Sequence, residues 1–230
     1  MTDRNTAPEA ISALSAVPYF ADADAATLQA IAEAAICRHY EAGEMVFLEG
    51  EPCAGLYVVQ DGWLKSVKMS PDGREQVVRF VGPGEAFNEL GVLADTPNHV
   101  TVIALESCDV WLIRREALLA LLETDRRLAS IITQNLARRA LHLMSLVEDL
   151  SLRTVEARLA RLLLEQAREA TLHRRSWATQ AEMAARLGTV PDVLNRALRK
   201  LADEGLIRVA RHQIQILDAE ALEARAMLEL

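Results

Sequence analysis

TQAEMAARLGTVPDVLNRALRKLADEGLI, residues 179–207, decides how the rest of the chain is read. Thr179 and Glu182 stand three apart ahead of an apolar-periodic run. That is the spacing of a capping box, which satisfies the orphan N–H groups of a first helical turn. Gly188 stops this helix, and Pro191 opens the next, where its missing N–H costs nothing. Two helices meeting across a short glycine-bearing turn make a helix-turn-helix. Met183, Leu187, Val193, Leu194, Ala197, Leu198 and Leu201 are its expected core. RVARHQIQILD, residues 208–218, then alternates as a β-hairpin wing does, without the usual turn glycine.

Upstream the rhythm differs. Between residues 36 and 114 lie the runs ICRHY, MVFLE, GLYVVQ, WLKSVKM, EQVVRF, TVIALE and DVWLIR, separated mostly by glycine-bearing breaks. Short strands with regular turn signals predict a sandwich or barrel. PDGR, residues 71–74, is a turn by mechanism: proline presets φ and glycine accepts positive φ. Residues 8–35 read as mostly helical, with Asp24 as an N-cap. Arg115 to Glu123 reads as a short helix and 125–150 as a long one. In the long helix Leu136, Ala140, Leu143, Val147 and Leu150 form a heptad seam. Ile131, Ile132, Leu141 and Met144 supply a second apolar face, expected against the barrel. A helix apolar on two sides must bury both. A second copy of the same helix is the simplest partner for the seam, and an internal helix of a larger monomer is the alternative. Residues 151–155 form a hinge, with Thr154 capping the next helix.

The expected fold class is therefore α+β. Residues 1–124 form a jelly-roll β-barrel with N-terminal helices, 125–150 a dimerisation helix, and 156–230 a winged helix-turn-helix. The chain of 230 residues carries a net charge of −8, yet the segment from Arg174 to Arg211 holds eight basic residues against four acids. A locally basic module on an acidic protein is the footprint of DNA binding. The first residues lack a basic stretch followed by an apolar run, and no apolar stretch nears the ~20 residues of a membrane span. The expected location is the cytoplasm, with no membrane partner. Cys37, Cys53 and Cys108 match neither a disulfide framework nor a C-x-x-C clip. A cupin-type metalloenzyme, the enzyme alternative, needs an H-x-H pair plus further ligands, and only His39 and His99 fall in the barrel region. No catalytic residues or metal ligands are assigned.

On the second helix of the motif Asp192, Asn195, Arg196, Arg199 and Lys200 face solvent in this reading. Arg196 suits a bidentate grip on guanine, Asp192 cytosine N4, and Asn195 adenine. Arg199, Lys200 and Arg208 suit phosphates, which position rather than specify. Thr179, Gln180, Val190 and Pro191, at the helix starts, complete the expected DNA-facing set. The alternative is a winged helix used for protein contacts with these charges solvated. Two-fold symmetry predicts a palindromic operator with half-sites about one DNA turn apart.

The order of parts, with GEMVFLEGEPCAGLYVVQDGWLK (43–65), FNELG (87–91), LARRALHL (136–143) and the opening stretch, resembles the cyclic-AMP receptor protein/FNR family of bacterial transcription regulators. DTPNHV (95–100) and the Pro191–Asp192 pair resemble its nitric-oxide-responsive denitrification branch. The resemblance implies duplex DNA, a second copy and RNA polymerase as partners, and an effector pocket around Asn88, Glu89, Leu90, Gly91, His99, Val100, Leu143 and Met144. Family members that bind cyclic nucleotides carry F-x-G-E-L-G and then R-S or R-T. Here Asn88 replaces the first glycine, His99 the arginine and Val100 the hydroxyl residue. A buried phosphate needs a fixed cation and donors, and a histidine with a pKa near ~6.5 is mostly neutral at cellular pH. Tight cyclic-AMP binding is therefore not expected, and the effector is left open. Haem sensing is one alternative, with His99 and His142 the only histidines near the pocket or the long helix; a true cyclic-nucleotide-dependent regulator and control by intrinsic packing without a ligand are the others. An iron–sulfur cluster is not expected, because it needs a cysteine cluster near the N-terminus. The reading helix departs from the FNR pattern E-x-x-S-R by two conservative changes, so TTGAT-like half-sites are the nearest expectation.

Overall fold

The structure is a computed structural model describing residues 7–17, 20, 23–167, 171–173, 178–210 and 213–227. In chain order it contains α1 (Ala7–Ser15), α2 (Ala25–Ala34), β1 (Ala35–Tyr40), β2 (Met45–Phe47), β3 (Gly55–Asp61), β4 (Leu64–Met69), β5 (Glu75–Val81), β6 (Ala86–Phe87), α3 (Glu89–Leu93), β7 (Thr101–Ala104) and β8 (Cys108–Arg114). There follow α4 (Arg115–Thr124), α5 (Arg126–Leu152), α6 (Val155–Gln166), β9 (Thr171–His173), α7 (Gln180–Arg186), α8 (Pro191–Asp203), β10 (Ile207–Val209), β11 (Gln213–Ile216) and α9 (Ala219–Ala226). The chain forms two compact units, residues 1–68 with 78–140 and residues 69–77 with 141–230.

In the first unit two four-stranded sheets, ordered β1-β8-β3-β6 and β2-β7-β4-β5, make the expected jelly roll. The strands GLYVVQD and DVWLIR are apolar almost throughout because both of their faces are buried. Leu56 and Val58 of β3, with Trp111 and Ile113 of β8, turn to a core shared with α1, α2, α4 and the start of α5. Tyr57 and Val59, with Val110 and Leu112, turn the other way, to a core with Phe47, Leu64, Phe87 and Val102. The period-2 alternation of a strand sorts consecutive residues into the two cores. Asp24 caps α2 as expected, accepting from Thr27 N–H at 2.8 Å. Asp125 does the same before α5, accepting from Arg127 and Leu128 at 2.9 and 3.0 Å.

The second unit has its own core, in which Leu159, Leu163, Met183, Leu187, Leu194, Leu198, Leu201, Ile207, Ile214 and Leu222 are buried. Three features were not expected. Thr171–His173, between α6 and the helix-turn-helix, form β9, which pairs with β11 as the third strand of the wing sheet. The acidic tail folds as α9, capped by Asp218 and anchored by Leu222. The long helix continues through Ser151 to Leu152 before Thr154 caps α6, accepting from Ala157 N–H at 3.1 Å.

Packing along α5 also differs from the heptad reading. Leu128 and Ile132 are buried and Leu136 packs beside them. Leu141 and Met144, expected on the barrel side, are 65% and 68% exposed, and Val147 is 63% exposed. Leu150 is half-buried. At 100° per residue, Leu141 lies about two and a half turns beyond Ile132, and so on the opposite side. Ala140, Leu143 and Val147 of the expected seam are exposed, as are Leu141 and Met144 beside them, while Leu136 turns inward.

Candidate nucleic-acid interface and effector pocket

The helix-turn-helix is built as its residues require. Thr179 Oγ1 accepts from Glu182 N–H at 3.2 Å, which fixes the first turn of α7. Gly188 takes φ +63°, a left-handed conformation that closes a helix readily only with glycine. Thr189 N–H returns to Ala184 C=O at 2.9 Å, and Pro191 occupies the first turn of α8 behind Val190. Every expected core residue is buried except Val193, which is half-buried.

The remaining face of α8 carries Asp192, Asn195, Arg196 and Arg199, which together form one open surface. They recur at intervals of three and four and so share one side of the helix. Asn195 Nδ2 donates to Gln180 Oε1 at 3.2 Å, tying the start of α7 to the reading face. Arg196, Arg199 and Arg208 are exposed and have no ion-pair partner among the described residues. The rest of the basic cluster is less available than its composition suggests. Arg186 is half-buried. Lys200 Nζ is bound to both carboxylate oxygens of Glu156, at 2.9 and 2.8 Å. Arg174, Arg175 and Arg211 lie outside the described residues.

The expected phosphate loop is a short helix, α3. Asn88, which precedes it, takes φ +75°. Asparagine is among the few non-glycine residues that accept this region, so it can stand where relatives have glycine. Its Nδ2 donates to Gly55 C=O at 3.1 Å and Asn98 Oδ1 at 3.0 Å, and lies 3.3 Å from Cys53 Sγ. A Cβ on Gly91 would stand 3.0 Å from Cys53 Sγ and 3.1 Å from Asn88 Oδ1, a tight fit that a side chain could enter only by displacing them. Glu89 is 1% exposed, and its Oε2 accepts from Arg139 Nη1 of α5. Arg139 Nη2 also donates to Ala86 C=O. The other oxygen, Glu89 Oε1, is buried with no hydrogen-bond partner among the described residues.

Arg139 is the site residue that the sequence reading missed. LARRALHL was quoted as a helix motif, without the observation that its second arginine lies on the inward side with Leu128 and Ile132. His99 is exposed and bonded to Thr96 Oγ1 at 2.8 Å. Val100 is half-buried against the inter-sheet core. Leu90 is exposed. Leu143 and Met144 belong to the second unit and are both exposed. The structure thus joins Glu89 to Arg139, holds Asn88 against Gly55 and Asn98, and leaves His99 exposed and Val100 against the barrel core. Burial pushes the Cys53 and Cys108 thiols up, which makes both poor nucleophiles.

Residues 37–125 match the cyclic nucleotide-binding domain family and residues 157–225 the Crp-like helix-turn-helix domain. The chain is 30% identical over 190 residues to a CRP-like cAMP-activated global transcriptional regulator of Mycobacterium tuberculosis, covering 80% of this chain and 85% of the relative. It is 28% identical over 186 residues to the cyclic AMP receptor protein of Thermus thermophilus, covering 81% and 86%. FixK2 from Bradyrhizobium japonicum shares the fold, with a TM-score of 0.73 at 24% identity over 84% of this chain and 98% of that one.

Proposed function

Because the chain belongs to the Crp/Fnr family of DNA-binding transcription regulators, we propose that it acts in the cytoplasm as a homodimer on a palindromic operator. Asp192, Asn195 and Arg196 read bases, and Arg199 and Arg208 hold phosphates. The observation that carries this reading is the exposed face of α8, where Arg196 and Arg199 have no ion-pair partner among the described residues. The exposed residues Ala140, Leu143 and Val147, widened by Leu141 and Met144, form the dimer seam. Large apolar side chains exposed in a row on a helix gain by meeting a second copy.

Control acts through the pocket around Glu89, by an effector or by internal packing. The named relatives respond to cyclic AMP, but this pocket holds its buried carboxylate on Arg139 and offers His99 and Val100 where a phosphate would need a cation and a donor. A pocket effector other than a cyclic nucleotide fits these residues best. It shifts the population of α5 positions and with it the spacing of the two reading helices.

Sedimentation of a Leu141→Asp/Met144→Asp variant tests the assembly. The variant is expected to run as a monomer and to lose operator binding. A dimer that survives both aspartates refutes the seam.

A further inference from the structure

Lys200 lies on the reading helix, one residue past Arg199, yet it is not available to DNA in this structure. Glu156, in the first turn of α6, takes Lys200 Nζ on both oxygens, at 2.9 and 2.8 Å. The same carboxylate accepts from Arg225 Nη1 of α9 at 3.2 Å, and Arg225 Nη2 reaches Glu204 at the end of α8. Two acids and two bases form a chain, Lys200–Glu156–Arg225–Glu204, across α6, α8 and α9 with zero net charge. Lys200 is 51% exposed and Glu156 26%. The lysine therefore remains within reach of solvent, and its restraint is electrostatic rather than steric.

We propose that Glu156 is a positioning residue that sets how tightly the protein grips any duplex, by holding Lys200 off the DNA phosphates. This rests on the DNA-binding reading above. A lysine on a phosphate adds affinity uniformly, without regard to sequence. Withholding it shortens residence on arbitrary DNA and leaves the base contacts of Asp192, Asn195 and Arg196 untouched. The first turn of α6 is well suited to the task, since a helix N-terminus favours a carboxylate and Thr154 fixes its geometry. Because Glu156 also binds Arg225, it stays anchored on α9 if Lys200 leaves.

The test is the salt dependence of binding to a short duplex of arbitrary sequence, for wild type, Glu156→Gln, Lys200→Gln and the double variant. Each protein is first checked for native circular dichroism. Glu156→Gln is expected to steepen the slope of log K against log salt by about 0.9 per protomer, one released counterion each. Affinity at the lowest salt then rises, and about three- to fourfold more of it per protomer is lost between 50 and 200 mM salt. Lys200→Gln alone should leave the wild-type slope unchanged, and the double variant should return to it. A structural role for Glu156 would not be reversed by removing Lys200. An unchanged slope in Glu156→Gln overturns the inference, as does a slope reduced by Lys200→Gln alone. If the wild type shows no salt-dependent duplex binding, the DNA-binding reading itself falls.

Discussion

Replacing Arg139 by Met removes the one cation that faces Glu89 among the described residues, while the methionine keeps most of the side-chain stem that packs along α5. The Glu89 carboxylate is 1% exposed, and its Oε1 already lacks a partner among the described residues, so the variant leaves Oε2 without one as well. Breaking a buried ion pair from one side costs about 3–5 kcal/mol, because a charge stays buried without compensation. The hydrogen bond to Ala86 C=O adds about 1 kcal/mol. At a urea slope of about 2 kcal/mol per molar, the loss moves the unfolding midpoint of the first unit down by roughly 2–3 M. The fluorescence of Trp111, in the core of that unit, reports it. The Glu89→Met/Arg139→Met pair replaces both charges with apolar chains of adaptable shape, and should recover most of the loss. The reasoning is refuted if Arg139→Met costs less than ~1 kcal/mol, or if the double variant is no more stable than the single one.

Three further outcomes follow from the same geometry. Arg196→Ala should cost about 1–3 kcal/mol at one base pair and relax preference there, with folding stability unchanged because Arg196 is exposed; a uniform loss across sequences would show that it touches backbone only. Calorimetric titration with cyclic AMP and cyclic GMP should give no sub-micromolar binding, and a sub-micromolar isotherm would overturn the account of His99 and Val100. His39 is held above its ordinary value of 6.5, first by its hydrogen bond to Asp109 at 2.8 Å and then by Glu41. A raised native value adds stability that is complete below the unfolded pKa and fades as pH rises through the native one. The thermal midpoint of His39→Gln should therefore drop relative to wild type at pH 6 and converge with it in alkaline solution. An equal drop at both ends would exclude the titration.

The sequence alone determined the elements whose cause is local. The capping residues Asp24, Thr154 and Thr179, the turn at Gly188 with Pro191 behind it, and the strand runs between 36 and 114 each follow from chemistry within a few residues. The jelly roll followed by a helix-turn-helix was legible for that reason. What escaped is what depends on partners far along the chain. β9 is too short to signal itself and exists because β11, some forty residues away, pairs with it. The faces of α5 were assigned by heptad counting, but its inward side is fixed by the cores it meets, and this turned Leu141 and Met144 outward. Composition counted Lys200 as a free cation and passed over Arg139. Only the folded chain sets Glu156 beneath the one and Glu89 against the other, because an ion pair depends on separation in space and not on separation in sequence.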